Sequence, residues 1–407
     1  MSGFWISLAI LVLMAALDGA WWVLALRLTK PRGWRIFISL FMVVQLAAML
    51  SILDGRDWLN HTPKPLIVAV NLWHHLGLAL VLIILPPWGL LRGYAWLVRR
   101  RLTRTDISHP PAPSQPAGTT PAVVSRRAFI GTATALAPAL FTIGLTGVAA
   151  AQLNHFRVRR LVLSLPALPP ALDGMTIAHI SDIHVGPFTN GRVLRELVDT
   201  TNALAADLVL MTGDLINYEL SDLDEGIALL KQMPGRYGQW MIEGNHDLFD
   251  DGTEFERRVK ASGVPFLRDA AAVTMVRDHP VQFLGLGWRD DNSAQALKST
   301  GRLLHQLMKP SPPGAFPILL AHHPHAFDAA VAANLPLTLS GHTHGGYLML
   351  NRQFGLGPIL FRYWSGLYLR GQSQLVVSNG VGNPFPLRLN APAEIIHLTL
   401  RRPEAQA

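Results

Sequence analysis

Met175-Thr176-Ile177-Ala178-His179-Ile180-Ser181-Asp182-Ile183-His184 is the stretch on which the reading of this chain turns. Its first part, Met175 to Ile180, is an apolar run of strand length. Its second part sets a carboxylate and an imidazole two residues apart, just ahead of a glycine loop at Gly186-Pro187. An Asp-x-His pair at the mouth of a buried strand is half of a metal site. Both residue types are also common at strand ends, so the weight of the pair depends on the remaining donors downstream.

Four further blocks repeat the same form, an apolar strand that delivers ligand-type side chains at its carboxyl end. Leu208-Val209-Leu210-Met211 ends in Thr212-Gly213-Asp214, and Trp240-Met241-Ile242 leads into Glu243-Gly244-Asn245-His246-Asp247. Pro317 to Ala321 delivers His322, and Leu335 to Leu339 delivers Ser340-Gly341-His342-Thr343-His344-Gly345-Gly346. From Arg157 onward such runs alternate with helical patterns, which predicts α/β layering. In layered α/β folds the strand ends converge at an edge whose loops are free to carry chemistry. Hard and borderline divalent ions take carboxylate, imidazole and amide oxygen ligands, and the blocks supply Asp182, His184, Asp214, Asn245, His322, His342 and His344. That set exceeds one tetrahedral ion and suits two ions sharing a carboxylate, with Mn, Fe, Zn, Co and Mg all admitted.

The rest of the chain bounds the setting. Its 407 residues are enough for two or three domains, and an apolar fraction of 50% with a mean hydropathy of +0.26 is high for a wholly soluble protein. The net charge of +8 is uneven: residues 1–150 hold 13 Lys and Arg against 4 Asp and Glu, and residues 151–407 hold 22 against 23. A nucleic-acid partner is therefore not expected for the second part. The chain has no cysteine, which excludes disulfides, thiolate ligands and a cysteine nucleophile.

Apolar runs at Phe4 to Leu26, Ile36 to Leu53 and Leu66 to Leu91 are each long enough to cross a bilayer, and a fourth runs from Ala128 to Ala151. Basic connections after the first run (Arg27, Lys30, Arg32, Arg35) and the third (Arg92, Arg99, Arg100, Arg101, Arg104) read as cytoplasmic by the positive-inside rule. The fourth helix then carries everything after Ala151 to the non-cytoplasmic face. Thr105 to Val124 reads as a Pro-rich linker. Ser125-Arg126-Arg127-Ala128-Phe129-Ile130 either anchors the fourth helix or resembles an internal twin-arginine export signal. Asp18, His74 and His75 lie within predicted spans and are functional candidates there. Counting depth along the runs puts Asp18 about 9 Å deeper than His74, so no direct pair is expected.

The ordered set Asp-x-His, Gly-Asp, Gly-Asn-His-Asp, His and Gly-His-x-His resembles that of the calcineurin-like metallophosphoesterases, over roughly Met175 to Leu400. The resemblance implies an α/β/β/α sandwich of two mixed sheets. It also implies that Asp182, His184 and His344 hold a first divalent ion, that Asn245, His322 and His342 hold a second, and that Asp214 bridges them. A hydroxide between the ions would attack phosphorus in line. His246 would serve the leaving oxygen, and Asp247 would orient that imidazole. His179 reads as core or as backing to the ligands, and His323 and His325 as pocket rim. Gly366-Leu367-Tyr368, Leu375 to Gly380, Pro386-Leu387-Arg388 and Pro392 to Ile395 look like the bacterial membrane-associated branch, some of whose members act on lipid-linked or nucleotide-sugar lipid diphosphates. Tyr347 and Asn379 depart from that branch, where a Gln and a basic residue are expected. Arg388 is the candidate for a phosphate or headgroup contact, with an ion pair to Glu394 as its structural alternative.

The expected organisation is a three-helix membrane region at 1–95, a basic Pro-rich cytoplasmic linker at 96–127, a fourth helix or signal at 128–151, and a metallophosphoesterase domain at 152–407. The expected function is a phosphodiesterase or pyrophosphatase of the bacterial inner membrane, multi-pass, acting on a lipid or cell-envelope phosphoester. A non-catalytic membrane receptor of the same fold and a nuclease of the same superfamily are the competing readings.

Overall fold

The computed structural model describes residues 2–51, 62–102, 125–153, 155–291, 293–309, 311–351 and 353–403. The chain divides into two compact units, Met1–Val148 and Ala149–Ala407.

The first unit is helical: α1 (Ser2–Leu28), α2 (Arg32–Ser51), α3 (Lys64–Leu72), a π turn (Trp73–Gly77), α4 (Leu78–Leu102) and α5 (Arg126–Gln152), the last crossing into the second unit. Among the described residues, three helices are long and apolar enough to span a bilayer, over Leu11–Leu28, Arg32–Met49 and Ala128–Gln152. The expected span Leu66 to Leu91 is helical but interrupted by the π turn, and it is not one of the three. The Pro-rich linker 105–124 lies outside the described residues, as does the His75 side chain.

At the π turn Gly77 leaves room for the Trp73 ring, which a Cβ there would meet at 2.5 Å. Trp73 packs edge-on against Trp21 and Phe41, with centroids 4.9 and 5.0 Å apart. Its Nε1 donates to Asp18 Oδ1 at 2.6 Å, and His74 Nε2 lies 3.2 Å from Asp18 Oδ2. The expectation that Asp18 and His74 do not meet is thus corrected. Depth counted along straight helices misses a π turn, which changes the angular step per residue and brings neighbouring side chains to one polar group. Both oxygens of the buried carboxylate are satisfied in this way.

The second unit is a mixed α/β sandwich. One sheet has the order β1-β11-β2-β3-β4, from β1 (Phe156–Ser164), β11 (Ala393–Arg401), β2 (Thr176–Ile180), β3 (Leu208–Thr212) and β4 (Gln239–Ile242). The other has the order β5-β6-β7-β8-β10-β9, from β5 (Ala270–Val276), β6 (His279–Gly285), β7 (Phe316–Leu320), β8 (Leu337–Ser340), β10 (Ser373–Val377) and β9 (Gly366–Arg370). Strand alternation sorts the core. Ala178 and Ile180 of β2 pack under α6 (Arg192–Ala203), α7 (Leu223–Lys231) and α8 (Gly252–Ser262), which bury Leu197, Leu230 and Phe255. Ile177 turns instead to a cluster shared by the two sheets, with Leu210, Phe283, Ile318 and Leu337. The far face of the second sheet packs Leu319 and Val377 on Leu304 of α9 (Ala294–Met308) and Phe327 of α10 (Ala326–Ala332). Local sequence sets the helix ends: the Asp251 carboxylate accepts from Thr253 and Glu254 N–H, and Gly263 in the left-handed region stops α8.

β2, β3 and β4 are mutually parallel, and so are β7 and β8. Their carboxyl ends therefore open on common edges, and each of the five motif blocks begins at one of those ends.

Candidate metal centre

The loops leaving these strands bend at once. Asp182, His184, Asp214, His342 and His344 take φ values of 53°, 49°, 57°, 73° and 47°. This left-handed region costs a non-glycine residue roughly 1–2 kcal/mol, and Asp and His tolerate it better than most. Cross-loop hydrogen bonds hold the bends. Asp182 N–H donates to Gly213 O at 2.9 Å, His184 N–H to Asp214 O at 3.1 Å, and Gly341 N–H to His322 O at 3.1 Å. Two glycines are required for the approach: a Cβ on Gly341 would run into Ser181 Oγ and Asp182 Oδ2, and one on Gly244 into Asp214 Oδ1.

The donor atoms converge as a result. His344 Nε2 lies 3.1 Å from His184 Nε2 and 3.4 Å from Asp182 Oδ1. Asp214 Oδ2 lies 3.5 Å from His184 Nε2 and 3.1 Å from His322 Nε2. His342 Nδ1 meets Asn245 Oδ1 at 2.9 Å. Asp182, His184 and His344 form one group able to hold an ion, and Asp214, His322 and His342 form another. Asp214 also groups with His184 and His246, so it lies in reach of both sides.

Behind the donors, His322 Nδ1 lies 2.6 Å from the Thr212 carbonyl, which fixes the proton on that nitrogen and turns Nε2 inward. His179, whose role the sequence leaves between core and support, is fully buried with Nε2 2.9 Å from Thr212 Oγ1.

Electrostatics favour a cation. Burial holds His184 and His344 well below the ordinary imidazole range, and burial together with the His322 charge brings His342 down to about 3, so all three are neutral donors. Burial opposes the charge on His322, yet Asp214 beside it and Asp182 push it up to about 9. Burial pushes Asp214 upward too, but His322 and the other imidazoles hold it well below the carboxylate range. Burial and the Asp214 charge raise Asp182 to about 6 against the pull of His322. Nε2 of His184 and Nε2 of His344 thus face each other at 3.1 Å beside two carboxylates, and His322 Nε2 makes no hydrogen bond of good geometry. This donor set fits divalent ions.

A model of the calcineurin-like phosphoesterases matches residues 175–346. A zebrafish (Danio rerio) protein named "Transmembrane protein with metallophosphoesterase domain" is 30% identical over 249 residues, which cover 58% of this chain and 55% of the relative. Its Bos taurus counterpart is 31% identical over 246 residues, covering 58% and 54%. The Bacillus subtilis "Uncharacterized metallophosphoesterase YkuE" is 30% identical over 244 residues, covering 58% of this chain and 82% of the relative. The chain belongs to the calcineurin-like phosphoesterase family. It spans about half the length of the two transmembrane relatives. Their names and the apolar N-terminal helices suggest a membrane protein, and the family together with the Asp and His clusters supports metal-dependent phosphoester chemistry.

Two expectations for this calcineurin-like phosphoesterase are corrected. Asp247 does not orient His246. Its carboxylate accepts from the N–H groups of Asp214, Gly244 and Ile216 at 2.9, 2.9 and 3.0 Å, and so pins the two loops together. The His246 ring is held instead at Nδ1 by the Asn217 carbonyl, 2.6 Å away, a contact that no side-chain pattern announces.

Arg388 is not placed to touch substrate. It is fully buried, with its guanidinium bonded to Asn379 O, Ala391 O, Gly382 O, Asn383 Oδ1 and His344 Nδ1. Nor does it pair with Glu394, which bonds Arg157 and Arg159. It braces the loop behind His344 because those carbonyls would otherwise be buried without donors.

Around the centre stand aromatic side chains that the motif reading did not single out. Tyr218 and Phe249 stack at 5.7 Å and flank His246 at 5.0 and 4.7 Å. Trp288 meets His342 at 4.9 Å, and His323 lies against both Trp288 and His342. The departures Tyr347 and Asn379 do lie close by: Tyr347 is sandwiched between His344 and Phe385, and Asn379 Oδ1 accepts from Ser365.

Proposed function

We propose that this protein is a membrane-anchored phosphoesterase dependent on two divalent ions, and that it hydrolyses a phosphodiester or diphosphate of a lipid or envelope molecule. The observation that carries the reading is the convergence of neutral imidazoles and carboxylates from both sheets at one edge. Asp182, His184 and His344 would hold the first ion, Asn245, His322 and His342 the second, and Asp214 would lie between them. Such ions supply Lewis-acid activation of water and charge neutralisation on the phosphoryl oxygens.

The chain's own contribution is to orient and to move a proton. With His246 Nδ1 committed to the Asn217 carbonyl, Nε2 is the nitrogen left to serve a leaving oxygen. The Tyr218 and Phe249 rings keep that imidazole against an apolar wall. For the membrane part, the reading is a bacterial inner-membrane region carrying the four apolar runs as spans, the fourth being anchor or export signal, with residues 152–407 outside the cytoplasm. The basic connections support this orientation, and a tethered enzyme meets membrane-borne esters at high effective concentration.

Purified full-length protein in detergent should hydrolyse bis(p-nitrophenyl) phosphate with Mn²⁺ and stop when chelator is added. It should also turn over a detergent-dispersed lipid phosphodiester or diphosphate. Good activity on soluble esters with none on any lipid ester would sink the substrate class, and activity insensitive to chelator would sink the metal chemistry.

A further inference from the structure

One end of the sandwich pairs an apolar skin with a basic cavity. Leu350, Phe354, Ile359 and Leu360 are 78%, 64%, 76% and 59% exposed, on a loop and the short helix α11 (Leu356–Leu360). Large apolar side chains gathered this closely on a surface mark a contact with a partner or a membrane. Met349 and Asn351, which flank Leu350, line a cavity of about 410 Å³ together with Arg157, Arg159 and Trp364. Both arginines reach the single buried carboxylate of Glu394, at 2.8 and 3.4 Å, so one positive charge is left over, and the Arg157 side chain is half exposed.

Chain connectivity identifies the occupant. Three residues separate Gln152, the end of a helix apolar enough to cross a bilayer, from Phe156 at the start of β1. Fully extended, that stretch reaches about 14 Å, so the Arg157 end of β1 stays within that distance of the helix end. A basic cavity with an apolar margin, held this close to a candidate span, matches the headgroup and acyl layers of an anionic leaflet.

We propose that this face docks on an anionic membrane surface, with Leu350, Phe354, Ile359 and Leu360 entering the acyl boundary and the cavity walled by Arg157 and Arg159 seating an acidic headgroup. Phe361, the next residue, meets His342 edge-on at 5.9 Å, so the docked face borders the metal cluster and brings lipid esters to its margin. The inference rests on the membrane reading of α5 and not on the metal chemistry.

The absence of cysteine makes single reporters clean. Full-length Phe354→Cys, Ile359→Cys and, on the exposed face of α9, Ser299→Cys would carry an environment-sensitive fluorophore in phosphatidylcholine vesicles with and without phosphatidylglycerol. Lipids spin-labelled near the headgroup serve as quencher. About half or more of the fluorescence at 354 and 359 should be lost, with none lost at 299. The loss should deepen with phosphatidylglycerol, and Arg157→Gln, which leaves Arg159 to pair Glu394, should remove that deepening. Two results overturn the proposal: reporters at 354 and 359 untouched by lipid quencher, or quenching that follows protein concentration and so reports a second copy. Hydrolysis of the soluble diester in the same vesicles tests the enzyme reading separately, and unchanged melting temperatures certify the labelled proteins as folded.

Discussion

At His246 one ring nitrogen, Nδ1, is committed to the Asn217 carbonyl, so any proton exchanged with a substrate passes through Nε2. An acid at this position matters in proportion to how poorly the leaving group departs. His246→Gln is therefore expected to slow an alkyl phosphodiester about 10²-fold or more in kcat while slowing a nitrophenyl ester far less, with metal content unchanged. Equal losses on the two esters, measured by steady-state kinetics, would remove His246 from the proton path. The residue itself was legible, since it follows Asn245 at the end of a strand run. Its partner was not, because a backbone carbonyl 29 positions upstream leaves no side-chain signature. Arg388 failed for a related reason: an arginine in a Pro-rich loop looks available, and only the packed structure reveals that backbone carbonyls and His344 take its guanidinium.

Within β2, alternation turns His179 inward, where burial holds its imidazole down to about 3, against 6.5 for a free histidine side chain. Proton linkage fixes the direction of the pH effect. Above about pH 6.5 neither folded nor unfolded chain binds this proton, and as pH falls the unfolded chain binds it first. Stability is then lost progressively down to about pH 3, by at most about 5 kcal/mol from this group. Melting of the detergent-solubilised chain between pH 7 and pH 4.5 should fall less steeply in His179→Asn than in wild type, and equal slopes would contradict the account. At the π turn the corresponding test is Asp18→Ala, which leaves Trp73 Nε1 and the His74 imidazole buried without their shared carboxylate. The expected cost is roughly 3 kcal/mol in thermal unfolding, whereas a surface-like change below about 0.5 kcal/mol would argue that the cluster is slack. Strand blocks were readable because apolar runs ending in Gly, Asp or His mark β ends directly. The π turn was not, since no periodicity in Leu66 to Leu91 announces a single wide turn.

Across the whole molecule, the two sheets matter because they deliver donors from strands far apart in sequence to one edge: Asp182 and Asp214 from the first sheet, His322 and His342 from the second. No shorter piece of chain assembles the set, and the left-handed bends at five of its members are tolerated only because the cross-loop hydrogen bonds hold them. The order of the blocks let the sequence announce the sandwich and the side chains that gather at its edge, while the apolar face at Leu350 to Leu360 and the basic cavity beside it emerged only from packing. The central claim, that this edge is a two-ion phosphoester site organised on Asp214, is tested most directly by counting metal. After loading with Mn²⁺ and desalting, the full-length wild type should retain two ions per chain by mass spectrometry and hydrolyse bis(p-nitrophenyl) phosphate. Asp214→Ala should lose at least one ion and about 10³-fold or more of the activity. Wild type that retains no metal, or Asp214→Ala that keeps both ions and full activity, would contradict it.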